Sequence, residues 1–447
     1  MMVLSALLAG ACGSEPPAKP AVPEPPPPPP TVVFVVLDTV RADHLSLCGY
    51  ERPTSPELEA LAAGGTWTCG AYVPGSWTLP SHASLFTGVE PAAHHAHAIT
   101  SGVKDYSGVS SRSRALDEAL PTLAEEMAEQ GYRSVAVSAN PVVSEKLGLM
   151  RGFEVARVAE KWGSYFDLGF GRALDGVLTE LPRDDKPLFL FLNLAEAHQP
   201  WKNIPSALGW LPARKKVHWG KKTAEDPWRR YVEGRMDDEE AAELRARTTD
   251  LYDYGVWRAD RTLGRVREAL EGGGWCDDGC RWVVTSDHGE YLGEHQLLDH
   301  GHYVHEPNAR VPLVVVDPAG PVELPSPVSA LVAHELVQTG ALPAPLPRVT
   351  SSAWPHVRRC ARTDGKAYCA PAAAIWSGDE KLWWDGEQSW RVDLTVDPGE
   401  LAPEPLGDHP LAAELAALVG EVEADARDEG AVDEDVVEAL RSLGYLD

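Results

Sequence analysis

The sequence predicts an α/β fold: a mostly parallel central sheet covered by helices on both faces, with a small antiparallel subdomain near the C-terminus. Three observations predict it. Continuous apolar, β-branched runs of strand length recur along the chain, they alternate with helical segments, and polar residues stand where the runs end. Such runs mark strands buried on both faces, and their alternation with helices implies parallel crossovers. The polar endings fit the rule that open α/β sheets bind ligands at the carboxyl ends of their strands.

The elements follow in chain order. Val32 to Leu37 is the first buried run, closed by Asp38. Ser55-Pro56-Glu57 reads as an N-cap with proline at the first helical position, and Gly64-Gly65 stops that helix. The segment from Ser76 to Gly88 is a turn into a second helix, with Pro80 near its start. A third helix begins near Pro121 and ends at Gly131, ahead of a strand from Arg133 to Ser138. Leu188 to Leu194, Trp282 to Ser286 and Val311 to Val316 repeat the buried-strand pattern, and a long helical region runs from Glu239 to about Leu270. Residues 31–319 thus form the main domain. Residues 320–447 complete the fold, with short strands at Ala373–Trp376, Lys381–Trp384 and Ser389–Asp393 and surface helices at Leu411–Glu423 and Val436–Leu443.

The N-terminus is organised differently. Val3 to Ala11 is a short apolar stretch ending in small residues before Cys12, without a basic segment ahead of it. Residues 1–12 resemble a bacterial lipoprotein signal with Cys12 as the lipidated residue. Residues 13–30 are proline-rich, a stiff polyproline II tether between anchor and domain. The expectation is an exported, membrane-anchored lipoprotein, periplasmic or on the cell surface. The six remaining cysteines pair locally as Cys48–Cys69, Cys276–Cys280 and Cys360–Cys369, which suits an oxidising compartment. A zinc site at Cys276 and Cys280 is the alternative, but no second ligand pair lies nearby to complete it.

Charge narrows the partners. With 67 Asp and Glu against 40 Lys and Arg, the formal net charge is −27. That argues against nucleic acid, whose phosphates are held by clustered basic residues. An anionic substrate would need the local field reversed, and a bound cation does that.

Four positions at strand ends and adjoining turns suggest such a site: Asp38, Thr78, Asp287 and His288. Two carboxylates and an imidazole suit one divalent ion, Mn, Zn, Mg or Ca. Thr78 falls at a helix N-terminus, where free N–H groups favour a tetrahedral oxyanion, and a metal-assisted hydroxyl there can attack phosphorus or sulfur.

Val36-Leu37-Asp38-Thr39-Val40-Arg41-Ala42-Asp43, the block from Thr78 to Gly88 and Ser286-Asp287-His288-Gly289-Glu290 resemble the signatures of the sulfatase family in the alkaline phosphatase superfamily. His198-Gln199-Pro200, Asp299-His300-Gly301, Arg310-Val311-Pro312-Leu313, Val392-Asp393-Leu394, Asp397-Pro398-Gly399-Glu400 and Leu443-Gly444-Tyr445 extend the resemblance in the family's order. It implies an alkaline-phosphatase-like α/β/α sandwich and hydrolysis or transfer at a sulfate or phosphate ester. It makes Asp38, Thr78, Asp287 and His288 the metal site and Thr78, His198 and His300 the catalytic set, with Arg41, His82 and Glu196 toward the substrate. Arg41 could instead form a structural ion pair, and Glu196, His198 and His300 could hold a second metal.

Thr78 stands where sulfatases carry the residue oxidised to formylglycine, and His82 replaces the motif's arginine. Threonine is not converted, so no formylglycine is expected. Superfamily phosphodiesterases and phosphoethanolamine transferases use unmodified threonine, so phosphoryl chemistry is favoured. The alternatives are a strict sulfuric-ester hydrolase or a non-catalytic binding protein that retains the fold. The partner is an anionic ester: a small molecule, a glycan or a lipid head group. Trp77 and Trp201 either pack or line the pocket; His94, His95 and His97 read as a partly exposed loop rather than a metal cluster, and His305 as solvated surface. The basic residues of Lys202 to Arg235 read as a solvated loop or a recruiter of anions.

Overall fold

The computed structural model describes residues 29–99, 112–217, 226–354, 362–363, 366–367 and 370–427. Cys12, residues 13–28 of the proline-rich segment, both cysteines of the expected Cys360 to Cys369 pair and the helix expected at Val436–Leu443 lie outside the described residues.

Eight strands form the large sheet: β1 (Thr31–Leu37), β2 (Thr66–Tyr72), β3 (Arg133–Ser138), β4 (Val155–Val158), β5 (Leu188–Leu194), β6 (Cys280–Thr285), β7 (Arg310–Val316) and β8 (Val328–Ser329). Their order is β8-β2-β7-β6-β1-β5-β3-β4. Only β7 runs against its neighbours; β6, β1, β5, β3 and β4 are mutually parallel. Val32 to Leu37 and all of β5 are buried, the condition their apolar runs demand.

Among the described residues, six helices of seven residues or more flank these strands: α1 (Pro56–Ala62), α2 (Thr78–Thr87), α3 (Leu123–Glu129), α4 (Leu168–Glu180), α5 (Asp238–Gly272) and α6 (Val332–Thr339). Two separate cores result. One face of β1 (Val32, Phe34, Val36) packs toward α2, α3 and α6, and the other (Val33, Val35, Leu37) toward α1, α4 and α5. The period-2 alternation of a strand divides one apolar run between two layers in this way. Helix boundaries follow local chemistry. Thr122 and Glu125 form a capping box at α3, Asp237 and Glu240 another at α5, and Pro56 opens α1.

The C-terminal sheet has five antiparallel strands, β9 (Thr350–Ala353), β10 (Ala372–Ser377), β11 (Glu380–Trp384), β12 (Ser389–Asp393) and β13 (Glu404–Pro405), with α7 (Ala412–Arg427) against it. β9, a Thr-Ser-Ser-Ala segment without an apolar alternation, adds a strand where none was expected. It touches the loop that leads into α2 through a hydrogen bond from Ser352 N to Pro74 O at 2.8 Å. The expected disulfides Cys48–Cys69 and Cys276–Cys280 are present.

Candidate active site

Four adjacent parallel strands, β6, β1, β5 and β3, deliver polar side chains to one edge of the sheet. Asp287 and His288 follow β6, Asp38 follows β1, Asn193 lies inside β5, and Asn140 stands two residues beyond β3. Thr78 is the first residue of α2, facing them. All six are fully buried.

Asp38 Oδ2 accepts from Asn140 Nδ2 (2.7 Å) and Asn193 Nδ2 (3.0 Å), whereas Oδ1 has no partner among the described residues. Asp287 Oδ1 accepts the backbone N–H groups of Thr39 (3.1 Å) and His288 (3.0 Å); its Oδ2 makes no hydrogen bond and lies 3.3 Å from His288 Nε2. Thr39 adopts a left-handed backbone, φ 62°, and its N–H reaches Asp287. Gly289 is required for close approach, because a Cβ there would lie 2.0 Å from Pro307 O. His288 Nδ1 donates to Gly289 O (2.9 Å), which leaves the Nε2 lone pair toward Asp287 Oδ2 and toward Thr78 Oγ1 at 3.5 Å.

Two buried carboxylate oxygens without donors are costly, and the donor set shows what they fit. One ligand atom each from Asp38, Asp287 and His288 lie within 4.8 Å of one another. Oxygen donors with one imidazole suit a divalent cation. Burial pulls the His288 ring toward neutrality, but Asp287 and Asp38 outweigh it and push its pKa up to about 9. Burial and the nearby Asp287 raise that of Asp38.

His198 faces the same space. Its Nδ1 bonds Gln199 O, its Nε2 is buried and unpartnered, and its ring stacks on Trp162 at 4.1 Å. Burial lowers its pKa despite the pull of Asp38. The His300 ring lies 4.4 Å from that of His288 and 5.0 Å from that of His198, and Glu290 Oε2 holds its Nδ1 at 2.8 Å. Glu290, Asp299 and His300 form a second group with ligand atoms within 4.8 Å of one another.

Of the three residues expected toward the substrate, Arg41 and Glu196 bond to partners outside the cluster and His82 packs beneath it. Arg41 takes the structural alternative: it pairs with Asp43 and Glu294, both at 2.7 Å, and donates to Glu290 O. Glu196 Oε1 accepts from Asp167 N (2.8 Å) and Thr262 Oγ1 (2.7 Å), which ties it to α5; its Oε2 is buried without a partner among the described residues, and its ligand atoms do not cluster with those of His198 and His300. The chain turns between Ala195 and His198, which separates the two side chains. His82 lies one helical turn below Thr78, bonded to its carbonyl at 3.0 Å and 3.5 Å from Asp287 Oδ2.

Burial corrects other expectations. His94 bonds Ser84 on α2, and His97 pairs with Asp425 and stacks on Trp354; both are fully buried and brace the fold. His305 is buried and stacks on His295 at 3.8 Å. Trp77 and Trp201 are buried, while Trp162, not singled out by sequence, stacks on His198. Asn140 and Asn193 were also missed, although the strand-end rule that located Asp38 applies to Asn140, two residues beyond β3.

Comparison with known proteins identifies the fold and the family. Among solved structures, the chain resembles a phosphonate monoester hydrolase of Agrobacterium radiobacter (17% identity over 89% of this chain and 95% of that one, TM-score 0.60). It also resembles one from Silicibacter pomeroyi (19%, 89% and 95%, TM-score 0.58). A third likeness is to a protein solved with its substrate D-glucosamine-2-N,6-O-disulfate (16%, 90% and 99%, TM-score 0.60). The sulfatase family model matches residues 30–342, most of the chain, and the chain belongs to the sulfatase family, whose members are metal-dependent hydrolases of sulfuric and phosphoric esters.

Proposed function

We propose that this protein is a metal-dependent hydrolase of phosphodiesters or phosphonate monoesters that attacks with Thr78. The observation that carries the reading is the position of Thr78 Oγ1, between Asn140 Nδ2 and His288 Nε2 beside the two unpartnered carboxylate oxygens. Asp38, Asp287, His288 and Thr78 would hold one divalent cation. Bound there, it would supply Lewis acidity to oxygens carrying negative charge.

The chain's own residues do the rest. Thr78 Oγ1 forms a bond to phosphorus as the bond to the leaving oxygen breaks; the hydroxyl loses one proton and the departing alkoxide gains one. Water then cleaves the threonine ester. His198, with Nδ1 committed to Gln199 O, presents Nε2 as a proton acceptor. His300, oriented by Glu290, is the candidate donor to the leaving group.

Charge favours a transferring group with a single negative charge. One dication would balance Asp38 and Asp287, Glu290 sits against His300, and Arg41 is committed to Asp43 and Glu294. Little net positive charge remains for a phosphate monoester dianion. Sulfate monoesters are also monoanions, and the family makes them the second reading. The two disulfides support export to an oxidising compartment.

A panel of p-nitrophenyl esters tests this, with Mn, Zn, Mg or Ca added. Phosphodiester and phosphonate turnover above phosphate-monoester turnover supports the reading. Turnover dominated by the sulfate ester rejects the phosphoryl preference, and turnover of none favours a binding protein.

A further inference from the structure

We propose that Asn140 is a catalytic residue that prepares Thr78 for attack and stabilises the charge that develops on its oxygen. The inference rests on Thr78 being the nucleophile. The amide orientation follows from its contacts: Oδ1 accepts from Val142 N at 2.8 Å, so Nδ2 must be the atom facing the site. Nδ2 then donates both its protons to reacting machinery, one to Asp38 Oδ2 at 2.7 Å and one to Thr78 Oγ1 at 3.2 Å.

Little freedom remains in this side chain. Asn140 N donates to Asn193 Oδ1 and Ser138 Oγ, both at 3.1 Å, and Ser138 Oγ donates back to Asn140 O at 2.9 Å. β3 pairs with β5 on one side and β4 on the other, so the amide is carried by the interior of the sheet. Asn193 joins in from β5 by donating to the same Asp38 oxygen.

Two consequences follow. Because Nδ2 is only a donor, the threonine oxygen must accept, which turns its own proton away from Asn140 and fixes the hydroxyl rotor. As the oxygen loses that proton, a hydrogen bond to a neutral acceptor becomes one to a charged acceptor, which is stronger. A donor set in place beforehand and excluded from water stabilises charge most effectively, and removal of one such donor lowers turnover by about 10²–10³-fold. Asp38 polarises the same amide, coupling the carboxylate of the metal site to the nucleophile through one side chain.

The test uses the metal-loaded full chain, with Asn140→Ala and Asn140→Asp beside Thr78→Ala. Steady-state kinetics are measured on a p-nitrophenyl phosphonate or phosphodiester, with metal content, thermal midpoint and the inhibition constant of inorganic phosphate. Asn140→Ala is expected to lower kcat by about 10²-fold while KM, metal content and phosphate inhibition stay within about threefold. Asn140→Asp, of the same shape but without the donor, falls at least as far, and it carries the test if the alanine variant does not fold. Wild-type kcat in Asn140→Ala with Thr78→Ala inactive overturns the role of Asn140 alone. Loss cured by excess metal also overturns it, since Asn140 would then only support Asp38. Full activity in Thr78→Ala overturns the nucleophile itself.

Discussion

Two buried charged clusters in this protein use the same kinds of side chain and differ in one respect. In the socket where the C-terminal sheet meets the loop carrying His300, Lys381 is fully buried and donates to Val304 O (2.6 Å) and to Glu400. Glu400 also accepts from Glu306 N, and Glu306 in turn accepts from Trp376 Nε1 (2.7 Å) and Tyr72 (3.1 Å). Every charge there has a partner. At the strand ends, Asp38 Oδ1 and Asp287 Oδ2 have none. A paired cluster is finished by folding alone, whereas an unpaired one is finished only by a ligand. The first is architecture and the second is a site.

The sharpest way to separate the two regions is chemical. Thr78→Ala should lower kcat/KM by about 10⁴-fold or more, the scale set by loss of a nucleophile, with no change in thermal midpoint beyond a few degrees. Lys381→Met should do the reverse. It leaves Glu400 buried and uncompensated, costing about 3–5 kcal/mol in chemical denaturation, while kcat per folded molecule stays within about twofold. Equal effects of the two substitutions on both measurements would erase the contrast.

Metal addition sharpens it further. At about 100 times its dissociation constant, a cation bound only by the folded chain adds about 2.7 kcal/mol. Calorimetry should find that increment in the wild type and in Glu400→Gln, and lose it in Asp287→Asn. The smallest effect concerns a carboxylate that is fully paired. His97, His95 and Arg114 surround Asp425 and, against the cost of burial, lower its pKa from 3.8 to about 2. The folded chain therefore binds that proton less readily than the unfolded chain. Its stabilising contribution is present above pH 3.8 and is lost as pH falls toward 2. Acid unfolding curves of Asp425→Asn should lack that component.

Much of the fold was legible because buried parallel strands write themselves as apolar runs. Val32 to Leu37 and Leu188 to Leu194 need no tertiary context to be recognised. Asp38, Asp287 and His288 were legible for the same reason, as polar residues where such runs stop. Asn193 was not read, although a lone amide within Leu-Phe-Leu-Phe-Leu-Asn-Leu must find hydrogen-bond partners if the strand is buried. Asn140 obeyed the strand-end rule but is separated from the end of its strand by Ala139. The direction of Glu196 was beyond sequence, because a single turn decides which side of the sheet it leaves from. The burial of His305 was beyond sequence as well, because Tyr291, His295 and Tyr303 gather around it only in the folded loop.

The central claim is that Thr78 attacks the ester, and it leaves a covalent mark. Acid quenching of the metal-loaded protein during turnover of a phosphonate monoester, followed by peptide mapping in a mass spectrometer, reads that mark directly. The account predicts a phosphonyl adduct on the peptide carrying Thr78, absent from Thr78→Ala. An adduct on any other residue, or undiminished turnover by Thr78→Ala, would contradict it.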